Sequence, residues 1–429
     1  MLKIDYNEET LSNGLRFATV NLPGFNTITN FLVIRSGSRY ETKQNNGIAH
    51  FLEHMVFKGT KTYPTTLDIA RAIEGIGGYF NAWTSVDHTS YWNIVPSRQW
   101  KIGALMPLEL AFFPRLRQED LERERGVILE EIKMIEDDPA RLVDDLLMQA
   151  TFSDHPLGQF IIGTPGNIKK MSLADFQSYH RQHYHPGQAM FLVIGNVGRI
   201  AESLKKFVQD KTAPIAGGSK LSSPEVFRGS KGQGLLVKRK QTDQTHFMLG
   251  STWEGFALSA AQRFVGAVLN SVLGRGMSSR LFLRIREEQG LAYAIRSEIS
   301  SLEDTGMISI YGGVNTDKVE RALESLLIEL RRLQEEPVGK VELEKAKAHL
   351  IGSLTLNSDR PIELAKWYGT DRLLGAKESF AEAIELANSV TPAQIQDLAQ
   401  KIFSLKRLSM AVIGPYESDE VFRAQLNMN

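Results

Sequence analysis

The sequence predicts an α+β chain: two homologous domains related by internal duplication, each a mostly antiparallel β-sheet with helices packed on it. Three observations carry this. A Pro-, Gly- and Ser-rich seam at residues 212–224 falls near the middle of the 429 residues, and such a stretch holds neither a helix nor a central strand. A helix-then-strand pattern recurs at equal spacing in both halves. Each half also carries a hairpin signal among long helical patterns, where alternating βαβ units would have implied a parallel sheet. The length alone exceeds what one ordinary core organises.

Taken in chain order, residues 79–85 and 88–95 are rich in aromatic and β-branched residues around a turn at Val86-Asp87, and read as a hairpin. Ser172 opens a helix and Gly195 closes a strand; Thr391 opens a helix and Gly414 closes a strand at the same spacing. Ser172 and Thr391 suit N-caps, and Pro392 suits a first helical turn. A second hairpin is expected from residues 293–300 and 306–311, turning at Glu303-Asp304, followed by a helix over 317–333. The expected organisation is residues 1–212, a linker at 213–224, and a homologous second domain at 225–429.

Lys+Arg and Asp+Glu both number 50, so net charge gives no support for nucleic acid or an anionic membrane as partner. There is no cysteine; a metal site must therefore use His, Asp or Glu. No apolar run approaches the ~18 residues of a membrane span. The first residues lack the apolar core of a secretory leader, and a cytoplasmic protein is expected.

The chemistry concentrates at Gly47-Ile48-Ala49-His50-Phe51-Leu52-Glu53-His54. Asn46 is the expected N-cap, and Lys58 and Gly59 the expected helix stop. His50 and His54 stand at i and i+4, so both imidazoles share one helix face and can bind one Zn²⁺. Glu53 lies on the adjacent edge, where it can act on a water without being a ligand. This is the inverted order of the thermolysin-type motif. The alternative is a plain helix with two core or surface histidines; apolar Ile48, Phe51, Leu52, Val56 and Phe57 favour burial, and two buried imidazoles beside a buried carboxylate are costly without a partner.

A catalytic zinc takes three protein ligands. Leu121, Glu124, Ile128, Glu131 and Ile135 form one helical stripe. Three are apolar and face the core, so two carboxylates among them need a reason. A solvated acidic helix explains Glu122, Glu130, Glu136 and Asp137 but not these two. Glu131 is the expected third ligand. Glu124, two turns earlier, can accept a hydrogen bond from a ligand imidazole and fix its tautomer. Glu130, about 100° off the stripe, ranks second.

On these residues the chain resembles the inverzincin, or pitrilysin-like, metallopeptidases of the insulinase family. The two-domain subgroup, similar to the mitochondrial processing peptidase β subunit, fits best. The resemblance spans nearly the whole chain and rests on His50-Phe51-Leu52-Glu53-His54, on Glu124 and Glu131 at the family's distances, and on Gly77-Gly78-Tyr79-Phe80-Asn81-Ala82-Trp83-Thr84-Ser85. In the family this last segment is an edge strand that pairs with substrate backbone, Asn81 and Ala82 contacting substrate. Arg286 and Tyr293, seven residues apart, match a pair that contacts a substrate carbonyl and developing oxyanion. Their alternative roles are a helix end and a strand start. The second half has no His-x-x-Glu-His; residues 268–273 read Val-Leu-Asn-Ser-Val-Leu, where a paired structural helix fits.

The resemblance implies a zinc endopeptidase with one Zn²⁺ per chain, acting on peptides or unfolded polypeptides in a closed chamber. It implies a homodimer, a heterodimer with a related subunit being the other option, with Arg286 and Tyr293 acting on the partner's zinc. Glu53 is the expected general base. The competing function is a non-catalytic or partner-dependent subunit; such chains lack parts of His50, Glu53, His54 and Glu131, all present here. A purely regulatory zinc-binding protein leaves Glu53 without a role. His155, His180, His183, His185, His88, His246 and His349 are expected to be structural or surface residues.

Overall fold

A computed structural model describes residues 4–215, 224–229 and 234–427. It contains two mixed sheets covered by helices. The first has six strands: β1 (Asp5–Thr10), β2 (Arg16–Asn21), β3 (Thr27–Ile34), β4 (Tyr79–Thr84), β5 (Thr89–Pro96) and β6 (Ala189–Gly195), in the spatial order β1-β2-β6-β3-β5-β4. The second has five: β7 (Leu235–Arg239), β8 (Gln244–Trp253), β9 (Ala292–Ser301), β10 (Gly306–Asn315) and β11 (Leu408–Gly414), in the order β7-β11-β8-β10-β9. Among the described strands only β2/β6 and β7/β11 are parallel. Once β1 is set aside, the two orders are the same, strand for strand, which is the duplication the sequence predicts.

Local chemistry places these elements where the residues indicate. The helices Leu173–His183 and Pro392–Ile402 both start on capping boxes, built on Ser172 with Asp175 and on Thr391 with Gln394. Each then feeds a fully buried strand, β6 or β11, at the same position in its sheet. The two hairpins form as β4–β5 and β9–β10. Both β4 and β9 are edge strands. The helical pattern at 317–333 becomes the helix Val319–Glu335 after a 3₁₀ turn at Thr316–Lys318.

The helices used below are α1 (Ile48–Val56), α2 (Thr66–Glu74), α3 (Trp100–Phe112), α4 (Gln118–Asp137) and α5 (Pro139–Phe152). In the first sheet, α3 packs on β3 and β5. Phe31, Leu32, Val33 and Ile34 are fully buried between the layers. Asn30 donates to Asn93 at 2.9 Å, and Asn93 donates to the Gly103 carbonyl of α3 at 2.8 Å.

The compact units are not the contiguous halves expected. One comprises Met1–Lys133, Gln159–Glu225 and Asn357–Leu374; the other comprises Met134–Gly158, Val226–Leu356 and Gly375–Asn429. The expected boundaries at 212 and 225 thus differ from these units in two exchanged segments. The cause is helix packing. α5 buries Leu142, Val143, Leu146 and Leu147 and lies on β8 and β11. Leu147 crosses Gly250 so closely that a Cβ there would come within 2.9 Å of it. Reciprocally, the helix Pro361–Ala365 and the π-helical turn Lys366–Asp371 lie against β3 and β6. Residues 216–223 of the expected linker lie outside the described residues.

Candidate metal centre

α1 presents the two histidines, but its N-terminus is built differently from the sequence expectation. The N-cap position is Gly47, at φ 99°, and carries no side-chain cap. Asn46 instead donates its amide to Glu41 and to the Phe160 carbonyl, both at 2.9 Å. The cap comes from outside the helix: buried Glu41 accepts from the Gly47 N–H at 2.8 Å and the Ala49 N–H at 2.7 Å. A carboxylate on those free donors also complements the positive end of the helix. Burial outweighs these bonds and pushes the Glu41 carboxyl up to about 7. Ile48, Phe51, Leu52 and Val56 are buried as their pattern predicts, and Phe51 packs edge-on against Phe176 at 4.8 Å. α1 ends at Val56. This is where Lys58 and Gly59 are expected to stop it; the Lys58 N–H bonds back to the Met55 carbonyl at 3.1 Å, and its ammonium reaches Glu124 at 2.7 Å.

The stripe on α4 lies as expected. Leu121, Ile128 and Ile135 are buried, and Glu124 with them at 7% exposure. Glu131 approaches both imidazoles, its carboxylate lying 3.9 Å from His50 Nε2 and 3.6 Å from His54 Nε2. His50, His54 and Glu131 offer ligand atoms within 4.8 Å of one another, and form the metal-competent group among the described residues. Donors on a tetrahedral zinc stand about 3.3 Å apart. Two imidazoles and a carboxylate at these separations therefore fit that ion, with a small closure around it. Glu130, the second-ranked ligand, points to solvent and pairs with Lys133 at 2.7 Å.

Two further carboxylates stand behind the three ligands. Glu124 Oε2 lies 3.3 Å from His54 Nδ1, which leaves Nε2 to face Glu131. This is the usual way a ligand imidazole is oriented. Burial opposes ionisation of Glu124, but the bonds from His54 and Lys58 prevail and hold its carboxyl below the usual range. Glu53, one residue before His54, is not among the three. It accepts a 2.6 Å hydrogen bond from the Thr84 hydroxyl. Burial pushes the Glu53 carboxyl up; the Thr84 bond and His54 offset part of this, and Glu131 adds to it.

Thr84 ends β4, which also carries Asn81 and Ala82. Among the described residues β4 pairs with β5 alone, and its outer edge has no strand partner. α1 packs against this strand. The Asn81 side chain is exposed and Ala82 half-buried. Arg286 and Tyr293 belong to the second unit. Arg286 sits in the π-helical segment Phe282–Glu288, over the Phe282 ring at 4.8 Å. Tyr293 lies on the edge strand β9 and is 76% exposed. Among the described residues no hydrogen bond joins the two.

Of the remaining histidines His349 is exposed, and the others have structural partners or surroundings. His88 sits between Asp87 and Trp83 at 2.8 and 3.1 Å. His180 contacts the Ala111 carbonyl at 2.7 Å, and His246 the Tyr311 hydroxyl at 2.8 Å. His155 accepts from the Leu157 N–H. Burial pushes His183 down to about 4 and lowers His185. Three neighbours of the candidate site had escaped the sequence: Glu41, Lys58 and Thr84. Lys58 had passed as a helix stop and Thr84 as an ordinary strand former. Glu41 had no signal, because its cap reaches in from outside the helix.

The model of the insulinase peptidases (peptidase family M16) matches residues 16–165, and that of the peptidase M16 inactive domain matches residues 170–350. The uncharacterized zinc protease YmxG of Bacillus subtilis is 34% identical, covering 95% of this chain and 97% of the relative. The uncharacterized zinc protease SCO5738 of Streptomyces coelicolor is 32% identical over 96% of this chain and 90% of its own length. Among solved structures, a protease from Helicobacter pylori superposes with a TM-score of 0.89 at 21% identity, covering 96% of this chain and all (100%) of that one. A peptidase M16 inactive domain structure from Pseudomonas fluorescens gives 0.88 at 19%, covering 97% and 99%. These two structures bear on the fold alone. No helix among the described residues is long and apolar enough to cross a membrane.

Proposed function

Because the chain belongs to the insulinase family of peptidases, M16, we propose that it is a zinc-dependent endopeptidase. It would cleave peptides or unfolded polypeptides, with His50, His54 and Glu131 holding one Zn²⁺ and Glu53 as general base. The observation that carries this is the convergence of the two Nε2 atoms and the Glu131 carboxylate with a further carboxylate, Glu53, on the same helix, beside an edge strand.

A zinc ion held there supplies Lewis acidity and brings the pKa of a water toward ~7. The protein's own groups do the rest. The outer edge of β4 offers main-chain donors and acceptors to an extended peptide, a mode that tolerates varied sequence. Glu53 takes a proton from water as the water oxygen bonds to the scissile carbonyl carbon. It returns that proton to the amine nitrogen as the C–N bond breaks. Glu124 keeps His54 in one tautomer and orientation. Arg286 and Tyr293 are assigned to the oxyanion of the tetrahedral intermediate, contributed by the partner copy of a homodimer that closes around the substrate.

The test is zinc content and peptide turnover measured side by side. Glu53→Gln is expected to keep close to one zinc per chain and to lose ~10²- to 10⁴-fold in kcat. Glu131→Gln is expected to lose zinc and activity together, and Glu130→Gln neither. Wild-type turnover by pure Glu53→Gln protein would refute the base; normal zinc in Glu131→Gln would refute the ligand.

A further inference from the structure

We propose that Thr84 is a positioning residue for the general base: its hydroxyl fixes the Glu53 carboxylate and ties it to the strand that receives the peptide. This rests on Glu53 being the base.

The hydrogen bonds leave Thr84 one role. A carboxylate only accepts, so the 2.6 Å contact spends the Thr84 proton on Glu53 Oε2. Thr89 is the cross-strand partner of Thr84, and its hydroxyl lies 3.5 Å from that of Thr84. It cannot take over the task, because its own proton goes to the Ser36 carbonyl at 2.7 Å. The proton directions in this part-buried cluster are therefore set. Among the described residues no other donor reaches Glu53, so one short, charge-assisted bond holds a side chain that otherwise turns about three torsions.

The place of Thr84 gives that bond its meaning. It is the last residue of β4, and its neighbour Ser85 closes the hairpin by donating to the His88 carbonyl at 2.7 Å. The loop before α1 grips the same turn, the Arg39 N–H bonding the Val86 carbonyl at 2.8 Å. Hairpin, loop and base are thus joined, and a peptide seated on the outer edge of β4 meets a base aimed from that strand. A side chain displaced by about 1 Å costs on the order of 100-fold in rate.

The experiment is a double-mutant cycle. Thr84→Val removes the hydroxyl at nearly constant shape, and Thr84→Ser keeps it. Each is made in the wild-type and Glu53→Gln backgrounds. Thr84→Val is expected to lower kcat by ~10- to 100-fold with KM within about twofold and zinc content unchanged. Thr84→Ser should stay within about threefold of wild type, and Thr84→Val should leave the residual rate of Glu53→Gln within about twofold. In metal-free protein, Thr84→Val should lower the urea midpoint when Glu53 is present and leave it unmoved in a Glu53→Ala chain. Wild-type kcat in Thr84→Val beside an inactive Glu53→Gln overturns the proposal and leaves the base standing. So does an equal rate loss on both backgrounds. A fully active Glu53→Gln enzyme removes the base and this proposal with it.

Discussion

At the scale of single residues, the centre is a chain of charge running away from the proposed ion. His54 faces Glu131 with one nitrogen and Glu124 with the other, and Lys58 closes the chain on Glu124 at 2.7 Å. A neutral imidazole that binds metal through Nε2 must donate from Nδ1, and Glu124 is placed to accept. Lys58 keeps that acceptor ionised, as its depressed pKa reflects. Glu124→Gln is therefore expected to weaken zinc binding by ~10- to 100-fold, and Lys58→Met by a smaller factor in the same direction. Competition against a chelator of known affinity reads both; unchanged affinity in both variants would show that the chain does not act on the metal. His50, His54, Glu124 and Glu131 were legible in the sequence because helical spacing converts directly into shared faces. Lys58 was not, since a Lys followed by Gly carries the same signal when it merely ends a helix.

At the scale of elements, α1 is a short, mostly buried helix whose first donors would be orphaned without Glu41. The sequence located the helix but misplaced its cap: Asn46 is the right residue type at nearly the right position, yet its amide turns back to Glu41. A cap supplied by a loop has no spacing rule to betray it. All three groups that Glu41 meets are donors, so in its ionised form both oxygens accept. Glu41→Gln places an NH₂ among them and is expected to cost about 2 kcal/mol, measured by urea unfolding. The pH dependence has a definite sign. Burial raises the folded-state pKa of Glu41 from 4.5 to about 7, so between those values the folded chain holds a proton that the unfolded chain releases. The contribution of this group is full below 4.5 and is lost as pH rises through about 7. The stability difference between wild type and Glu41→Gln should shrink from pH 5 to pH 8. A difference that grows over that interval would contradict the assignment. Strands and hairpins were easier to read than this cap, because β-branched and aromatic runs around short turns report pairing between near neighbours.

At the scale of the whole molecule, the duplication was visible and the exchange was not. Equal spacing from Ser172 to Gly195 and from Thr391 to Gly414 gave away the repeat, but an apolar helix face does not state which sheet it covers. α5 lies in the first half of the sequence and covers the second sheet; the Pro361–Asp371 segment lies in the second half and covers the first. Cutting the chain at the seam therefore uncovers both sheets. Leu142, Val143, Leu146 and Leu147 are between 0% and 8% exposed. At about 1.5–3 kcal/mol for each buried aliphatic side chain, losing their cover removes on the order of 6–12 kcal/mol. That rivals the ~5–15 kcal/mol by which a native protein is stable. Residues 1–212 and 225–429, produced separately, are expected to lack fixed tertiary packing, with weak near-UV circular dichroism and broad urea transitions. Co-expressed, each fragment can reclaim its covering helix from the other, and the pair should unfold cooperatively and bind zinc. A sharp unfolding transition and stoichiometric zinc in the isolated 1–212 fragment would mean that the Pro361–Asp371 segment does no work for the first sheet, because the first half would then be a complete folding unit without the segment it receives in exchange.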